Sequence, residues 1–374
     1  MKPIVDATST PLSSIFGSGF LIIVPILVGT VGSYAVLAMV VVCALAYAVG
    51  SVIRFNIRHA EPLLAASPTE ATLSFERCSD FVLVIAYVIS VCLYVHILSA
   101  FVLGGFGIDT DLNENLLTSS VIAVIMAIGT TRGLKTLDVL EGWALYVTLL
   151  IILLLILGFA GYDWTAWRSA LGITFPRGRN HSAWEIATIV AGTLIVVQGF
   201  ETTRYLGRAF DSDTRVRASH WSQIISSVVY VVFVALTLPV VHTLNGRYDD
   251  NSLIALVAVA AGLLAVPLII AAALSQFSAA VADTLAATLN MQESTHGHLR
   301  ARFGCVLVGG GAIALTWSAN TLEIVALASR AFAFYYFLQC LVAISVSRSM
   351  FQRLGAGLLA TVLAFITVFA IPAS

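Results

Sequence analysis

Run after run of apolar residues, separated by short polar stretches, fills this chain. A bilayer core needs about 20 such residues per helix, and many of the runs are long enough to cross it. Charged residues make up 10% of the 374, against about 25% in a soluble domain. The chain therefore reads as an all-α polytopic membrane protein. A net charge of −1 argues against nucleic acid as a partner.

The runs predict spans near residues 12–30, 33–53, 79–103, 118–130, 138–161, 184–205 and 219–242. The stretch 252–290 is too long for one helix and divides near Gly262 to Pro267 into an outer helix and an eighth span. Three more follow near 303–318, 321–346 and 352–371, giving about 11 transmembrane helices. The five cysteines (Cys43, Cys78, Cys92, Cys305, Cys340) form no CxxC or Cys/His spacing, and nothing suggests a disulfide framework or metal cluster. The first apolar run continues into a full span, so it is not a clear signal peptide.

Basic residues set the expected orientation. With the N-terminus inside, fourteen of the nineteen Lys and Arg lie on the cytoplasmic side, four lie outside (Arg168, Arg177, Arg179, Arg247) and Arg330 lies within a span. The acidic stretch 105–117, with Asp109, Asp111 and Glu114, then forms an outer loop. An odd number of spans puts the C-terminus outside.

Two spans are interrupted. The first contains Phe16-Gly17-Ser18-Gly19-Phe20, its second glycine six residues ahead of Pro25. Interior glycines each cost about 1 kcal/mol against alanine, and proline removes a backbone donor. In lipid such a stretch persists where its freed backbone groups face protein, water or a ligand. The sixth span carries Val197-Gln198-Gly199-Phe200-Glu201, again a glycine, here beside a carboxylate. These spans lie five apart and so run in opposite directions. Paired breaks in corresponding places of two halves point to the binding site of an inverted-repeat transporter. Single glycines in membrane helices also serve close packing, the plainer reading of each break alone.

At these residues the chain resembles the amino acid–polyamine–organocation (APC) transporters. Phe16 to Pro25 looks like that family's first-helix signature, a G-S-G-I-F stretch followed by proline, and Gly199-Phe200-Glu201 matches its G-F-E. Arg132-Gly133-Leu134-Lys135 resembles its short basic turn between helices 4 and 5, and the arginines from Arg204 to Arg217 lead into helix 7 as in the family. Helix 8, with Ala279, Val281, Asp283 and Thr284, is similar to the sodium-binding helix of sodium–solute symporters. The resemblance implies a LeuT-like fold of five plus five inverted helices, with helices 1 and 6 broken. Repeat one would cover about 12–161, repeat two about 184–346, and an extra helix about 352–371, all in one transmembrane domain. The family's proline-rich stretch after helix 2 is absent; Arg54 to Pro62 stands there instead.

The amides at Gly17, Ser18 and Gly19 begin the second half of helix 1, whose positive dipole end suits a substrate carboxylate. Phe20, Tyr94, Gly199 and Phe200 complete the expected substrate site with Glu201. A carboxylate inside a span is costly and usually functional. Glu201 could hold a substrate amine, take up a coupling proton, or tie helix 6 to its neighbours, with Arg204 one turn on as a neutralising partner. Ser275, Ser278, Asp283 and Thr284 on helix 8 are candidate sodium ligands, since oxygen donors suit a hard cation; the plainer reading is hydrogen bonding between helices. Arg330 reads as one half of an interhelical ion pair, and His96 as a structural histidine or a proton relay. Asp249-Asp250 and Asp211 to Arg217 read as solvated loops.

These features describe a secondary transporter of the inner membrane, not an enzyme. No nucleophile–histidine pair or HExxH spacing is evident. It would move a small amino acid or related zwitterion or amine, coupled to Na+ or H+, with no other cofactor. A transporter-like sensor or a channel is the alternative. The sequence sets no oligomeric state.

Overall fold

A computed structural model describes residues 2–17, 19–131, 144–168, 176, 178–295 and 298–373. Eight of the described helices are long and apolar enough to cross a membrane. The expected start of helix 5 and the turn Arg132-Gly133-Leu134-Lys135 lie outside the described residues.

The first hydrophobic segment is two helices, α1 (Lys2–Gly17) and α2 (Ile23–Val31). Between them, the N–H groups of Ile22 and Ile23 both donate to the Gly19 carbonyl, at 3.1 and 3.2 Å. Pro25 falls in the first turn of α2, where a missing N–H costs no helical bond. Helix α1 begins at Lys2 rather than near residue 12, and within it the Thr8 hydroxyl donates to Ile4 and the Ser9 hydroxyl to Asp6.

Next come α3 (Ala35–Phe55), a π turn over Asn56–Ala60, and α4 (Glu61–Ala66). Pro62 explains the π turn: its ring would collide with the carbonyl four residues back in a regular helix, and a wider turn relieves this. Helix α5 (Glu70–Phe106) has 37 residues, starts on the Thr69 cap and ends at Gly107 in the left-handed region (φ 68°). It is the buried axis of the bundle, and the span expected over 79–103 is only its inner part; Val91 to Ala100 are all buried. The charged turns from Glu70 to Cys78 lie ahead of the expected span, but they continue the helix.

The order continues with α6 (Asp111–Thr131), α7 (Ala144–Arg168) and α8 (Ala183–Ala191). Beyond α8 the chain forms two tighter 3₁₀ stretches, Leu194–Val197 and Phe200–Arg208, separated by Gln198 and Gly199. Then follow α9 (Ser212–Thr237), α10 (Ser252–Ala261), α11 (Ala265–Ser294), α12 (Ala301–Thr316), α13 (Thr321–Val346) and α14 (Met350–Phe369). The division of 252–290 falls at Gly262–Leu264, where the sequence expected it. Helix α5 packs along α11 and α13, while α1 packs on α9 and on Phe200–Arg208.

One end of the bundle is tied by a buried polar network. Arg204 pairs with Glu76 at 2.6 Å and donates to the Gln339 side-chain oxygen at 2.7 Å. Arg215 pairs with Glu61 at 2.7 Å, and Gln339 donates to Ser79 at 2.8 Å. Three sequence expectations change here. Arg204 engages Glu76 on α5 and not Glu201. Arg215, expected in a solvated loop, is buried in α9, which starts on the Asp211 cap. Arg330 is exposed, and its Nε donates to the Thr367 carbonyl on α14; no ion pair of Arg330 is among those described.

A buried charge stripped of its partner costs roughly 3–5 kcal/mol. Arg204→Ala and Glu76→Ala should each lower the thermal midpoint in detergent, and the double variant should lose far less than the two losses combined. Additive losses in this cycle would contradict a coupled pair.

Candidate functional site

The two breaks meet. A side-chain carbon on Gly19 would stand 2.7 Å from Val196 Cγ2, and one on Gly199 would stand 2.7 Å from the Ile15 nitrogen. Gly199 also needs its glycine for conformation, at φ 127°. Gly17 backs on α11, where a side-chain carbon would meet Ala279 Cβ at 2.6 Å. All three glycines thus permit close approach of backbones. Ser18 lies outside the described residues.

Side chains tie the interrupted backbone. The Tyr230 hydroxyl on α9 lies 2.9 Å from the Ile15 carbonyl and 2.8 Å from the Val196 carbonyl, reaching both breaks. Ser329 on α13 accepts from the Ile195 N–H at 2.9 Å and donates to the Gly192 carbonyl at 2.7 Å. Glu201 turns back over its own break: its Oε2 accepts from the Gly199 N–H at 2.9 Å and from the Tyr336 hydroxyl at 2.8 Å. The carboxylate sits at the N-terminal end of Phe200–Arg208, where the helix dipole favours negative charge.

Glu201 is fully buried, and its other oxygen, Oε1, has no hydrogen-bond partner among the described residues. Nor does any ion pair of Glu201 occur among them. Asp283 on α11 is buried and accepts from Ser90 on α5. Tyr94 accepts from the Gln198 amide at 3.1 Å. The buried hydroxyls of Tyr87 and Tyr335, and both amide atoms of Gln276 on α11, lack partners among the described residues. Native interiors leave few buried polar atoms unpaired, so these atoms make the crossing a candidate site.

Most of the expected residues therefore converge, and some do not. Gly17, Gly19, Gly199, Glu201 and Tyr94 lie at the crossing. Phe200 stacks on Tyr336 with ring centroids 5.4 Å apart. Phe20 instead joins Tyr230 and Phe233 of α9, at 5.6 and 4.2 Å between centroids. On α11, Ser275 donates to Ala272 and Thr284 to Ala280 of the same helix; Ser278 is buried. Sequence reasoning missed Tyr336, Tyr230, Tyr87 and Ser329, which sit in apolar runs where a phenol or serine reads as packing.

Comparison with known proteins gives the family and the fold. A family model described as an APC superfamily transporter matches residues 1–370. The chain belongs to the APC superfamily. An uncharacterized protein of Aquifex aeolicus (strain VF5) is 38% identical over 368 residues, covering 96% of this chain and 89% of that protein. A mutant of the Eremococcus coleocola manganese transporter superposes with a TM-score of 0.56 at 13% identity, covering 98% of this chain and 85% of that one. MHP1, a nucleobase-cation-symport-1 family transporter in a closed conformation with bromovinylhydantoin bound, gives a TM-score of 0.57 at 10% identity, covering 98% and 91%. At these identities the likeness shows the fold, which is LeuT-like. This APC transporter is thus a multi-pass membrane protein whose family and fold are those of transporters rather than enzymes.

Tyr230→Phe removes the hydroxyl that reaches both breaks and should destabilise the protein by about 1 kcal/mol. Gly199→Ala, strained in backbone and in space, should cost more. Thermal unfolding in detergent checks both; a Gly199→Ala midpoint equal to that of the unaltered protein would contradict the geometry.

Proposed function

We propose that this APC transporter is a secondary carrier working by alternating access, in which Glu201 takes up the coupling proton. The observation that supports this is a carboxylate buried at the break of helix 6, half-satisfied by Gly199 and Tyr336, with Oε1 unpartnered and no ion pair among the described residues. Such a group exchanges a proton or a cationic ligand more readily than one locked in a buried pair.

The substrate reading is a small amine-bearing molecule, an amino acid or a related zwitterion or amine. An ammonium would meet Glu201 and the phenol oxygens of the Tyr87 cluster, and a carboxylate would meet backbone amides at the helix-1 break. The solved relatives do not choose the substrate: one transports manganese by its name and another holds a hydantoin, and a shared fold hosts many cargoes. In this reading the eleven segments all cross the inner membrane. The N-terminus and the Arg204 network face the cytoplasm, and the end carrying Asp109 and Asp249 faces outward. The halves containing the two breaks rock against the remaining helices to expose the site alternately.

Uptake into proteoliposomes tests the proposal. A panel of amino acids and amines should yield a substrate whose uptake saturates and rises above equilibrium under an imposed inward proton gradient. Uptake that never saturates would point to a channel and contradict the carrier. Accumulation driven only by a sodium gradient would contradict proton coupling at Glu201 and move the coupling site to Ser275, Ser278, Asp283 and Thr284.

A further inference from the structure

Arg54, in the last turn of α3, is 9% exposed, and no acid pairs with it among the described residues. What holds it is neutral. Its Nη1 donates to the Gln223 side-chain oxygen and reaches Ser219 Oγ at 3.5 Å, both on α9, while Nη2 donates to the Tyr47 carbonyl at 3.4 Å. The guanidinium carbon stands 4.7 Å from the centre of the Tyr47 ring. These partners are built into the packing of α3 on α9. The Gln223 amide also donates to the Ala46 carbonyl at 2.8 Å, and a side-chain carbon on Gly50 would overlap it. Dipoles and a ring face share a positive charge, but they do not cancel it.

Other arginines at this end of the bundle have acids. Arg204 meets Glu76 and Arg215 meets Glu61. Arg58, one turn beyond Arg54, meets Asp213 of α9 at 3.0 Å, with both side chains exposed. Ser219 lies about 9 Å along α9 from Asp213, at the usual helical rise. That distance is on the order of the headgroup layer's thickness, so Arg54 stands at the depth where lipid phosphates meet acyl chains.

The surface around Arg54 has the matching order of groups. The Tyr47 hydroxyl lies 3.0 Å from His220 Nδ1, and the His220 and Trp221 rings meet edge to face at 5.8 Å. Tyrosine and tryptophan belong at a membrane interface. Farther along α9, Trp221, Ile225, Val228 and Val232 recur at helical spacing and are all exposed. From its aqueous end inward, the seam between α3 and α9 thus offers an ion pair, a guanidinium without a counter-ion, an aromatic belt and an apolar stripe. Only a negative charge at the level of Arg54 is needed to complete it, and basic pockets between membrane helices bind anionic headgroups.

We propose that the α3–α9 seam binds an anionic diacyl phospholipid, its phosphate on the Arg54 guanidinium and its chains along the exposed stripe of α9. The site is separate from the Glu201 crossing, and it stands whether or not the transport reading does.

A bound lipid stabilises the folded protein, so the thermal midpoint of the full-length protein in an uncharged detergent reads binding. Dioleoyl phosphatidylglycerol should raise the midpoint saturably. Dioleoyl phosphatidylcholine, whose headgroup carries its own cation, should do so far less, and inorganic phosphate should have no effect. Arg54→Gln should weaken the apparent affinity for phosphatidylglycerol about tenfold or more, as loss of a charge-assisted contact does. Tyr47→Phe with His220→Gln should weaken it as well and serves if Arg54→Gln fails to fold. Arg302→Gln, at an exposed position on α12, should leave the affinity unchanged. Undiminished affinity in the Arg54 and Tyr47–His220 variants, or an equal loss in Arg302→Gln, would overturn the proposal. Equal stabilisation by phosphatidylcholine would overturn the selectivity for an anionic lipid, and equal stabilisation by inorganic phosphate would show a soluble-anion site instead.

Discussion

Interrupting a helix inside lipid is permitted only if every backbone group set free finds another partner, and this constraint organises the structure. Tyr230 reaches the carbonyls of Ile15 and Val196 from one side. Ser329 serves the Gly192 carbonyl and the Ile195 N–H from the other. Glu201 accepts from the Gly199 N–H and closes the second break on itself. Each partner comes from a different helix or from the break, so the crossing of the two interrupted segments is held from several directions. The glycines make that crossing dense enough for such short bonds to exist.

Charge is distributed with equal economy. At one end, basic residues meet acids directly: Arg204 with Glu76, Arg215 with Glu61. These pairs join α4, α5, the second half of the broken sixth segment and α9, so separating the helices there means parting buried ion pairs. At the other end, carboxylates from three parts of the chain face one cavity without a basic residue in its described lining. Between the ends lie two buried acids, Glu201 and Asp283, among tyrosines.

The architecture was legible because its signals are local: long apolar runs, paired glycine breaks, and the change of helix at Gly262–Leu264. The partners that make the breaks tolerable were not. Tyr336 and Tyr230 lie in runs such as Phe334-Tyr335-Tyr336-Phe337, where sequence cannot separate a phenol that bonds from one that packs. Arg204 is misread from sequence because spacing along a helix suggests a partner at Glu201, whereas the tight 3₁₀ turns after Gly199 direct it toward Glu76. The charged start of α5 falls outside the expected span because a helix that outruns the bilayer no longer looks apolar. Phe20 falls to the substrate by adjacency to the break, yet the turn at Gly19–Ile22 sends it into the aromatic cluster of α9.

The central claim is that the Glu201 carboxylate links substrate movement to proton movement. Comparing exchange with accumulation in proteoliposomes containing Glu201→Gln tests it most directly, once a substrate is in hand. The account predicts that substrate-for-substrate exchange persists while accumulation driven by a proton gradient is lost. Proton-driven accumulation that survives Glu201→Gln unchanged would contradict it.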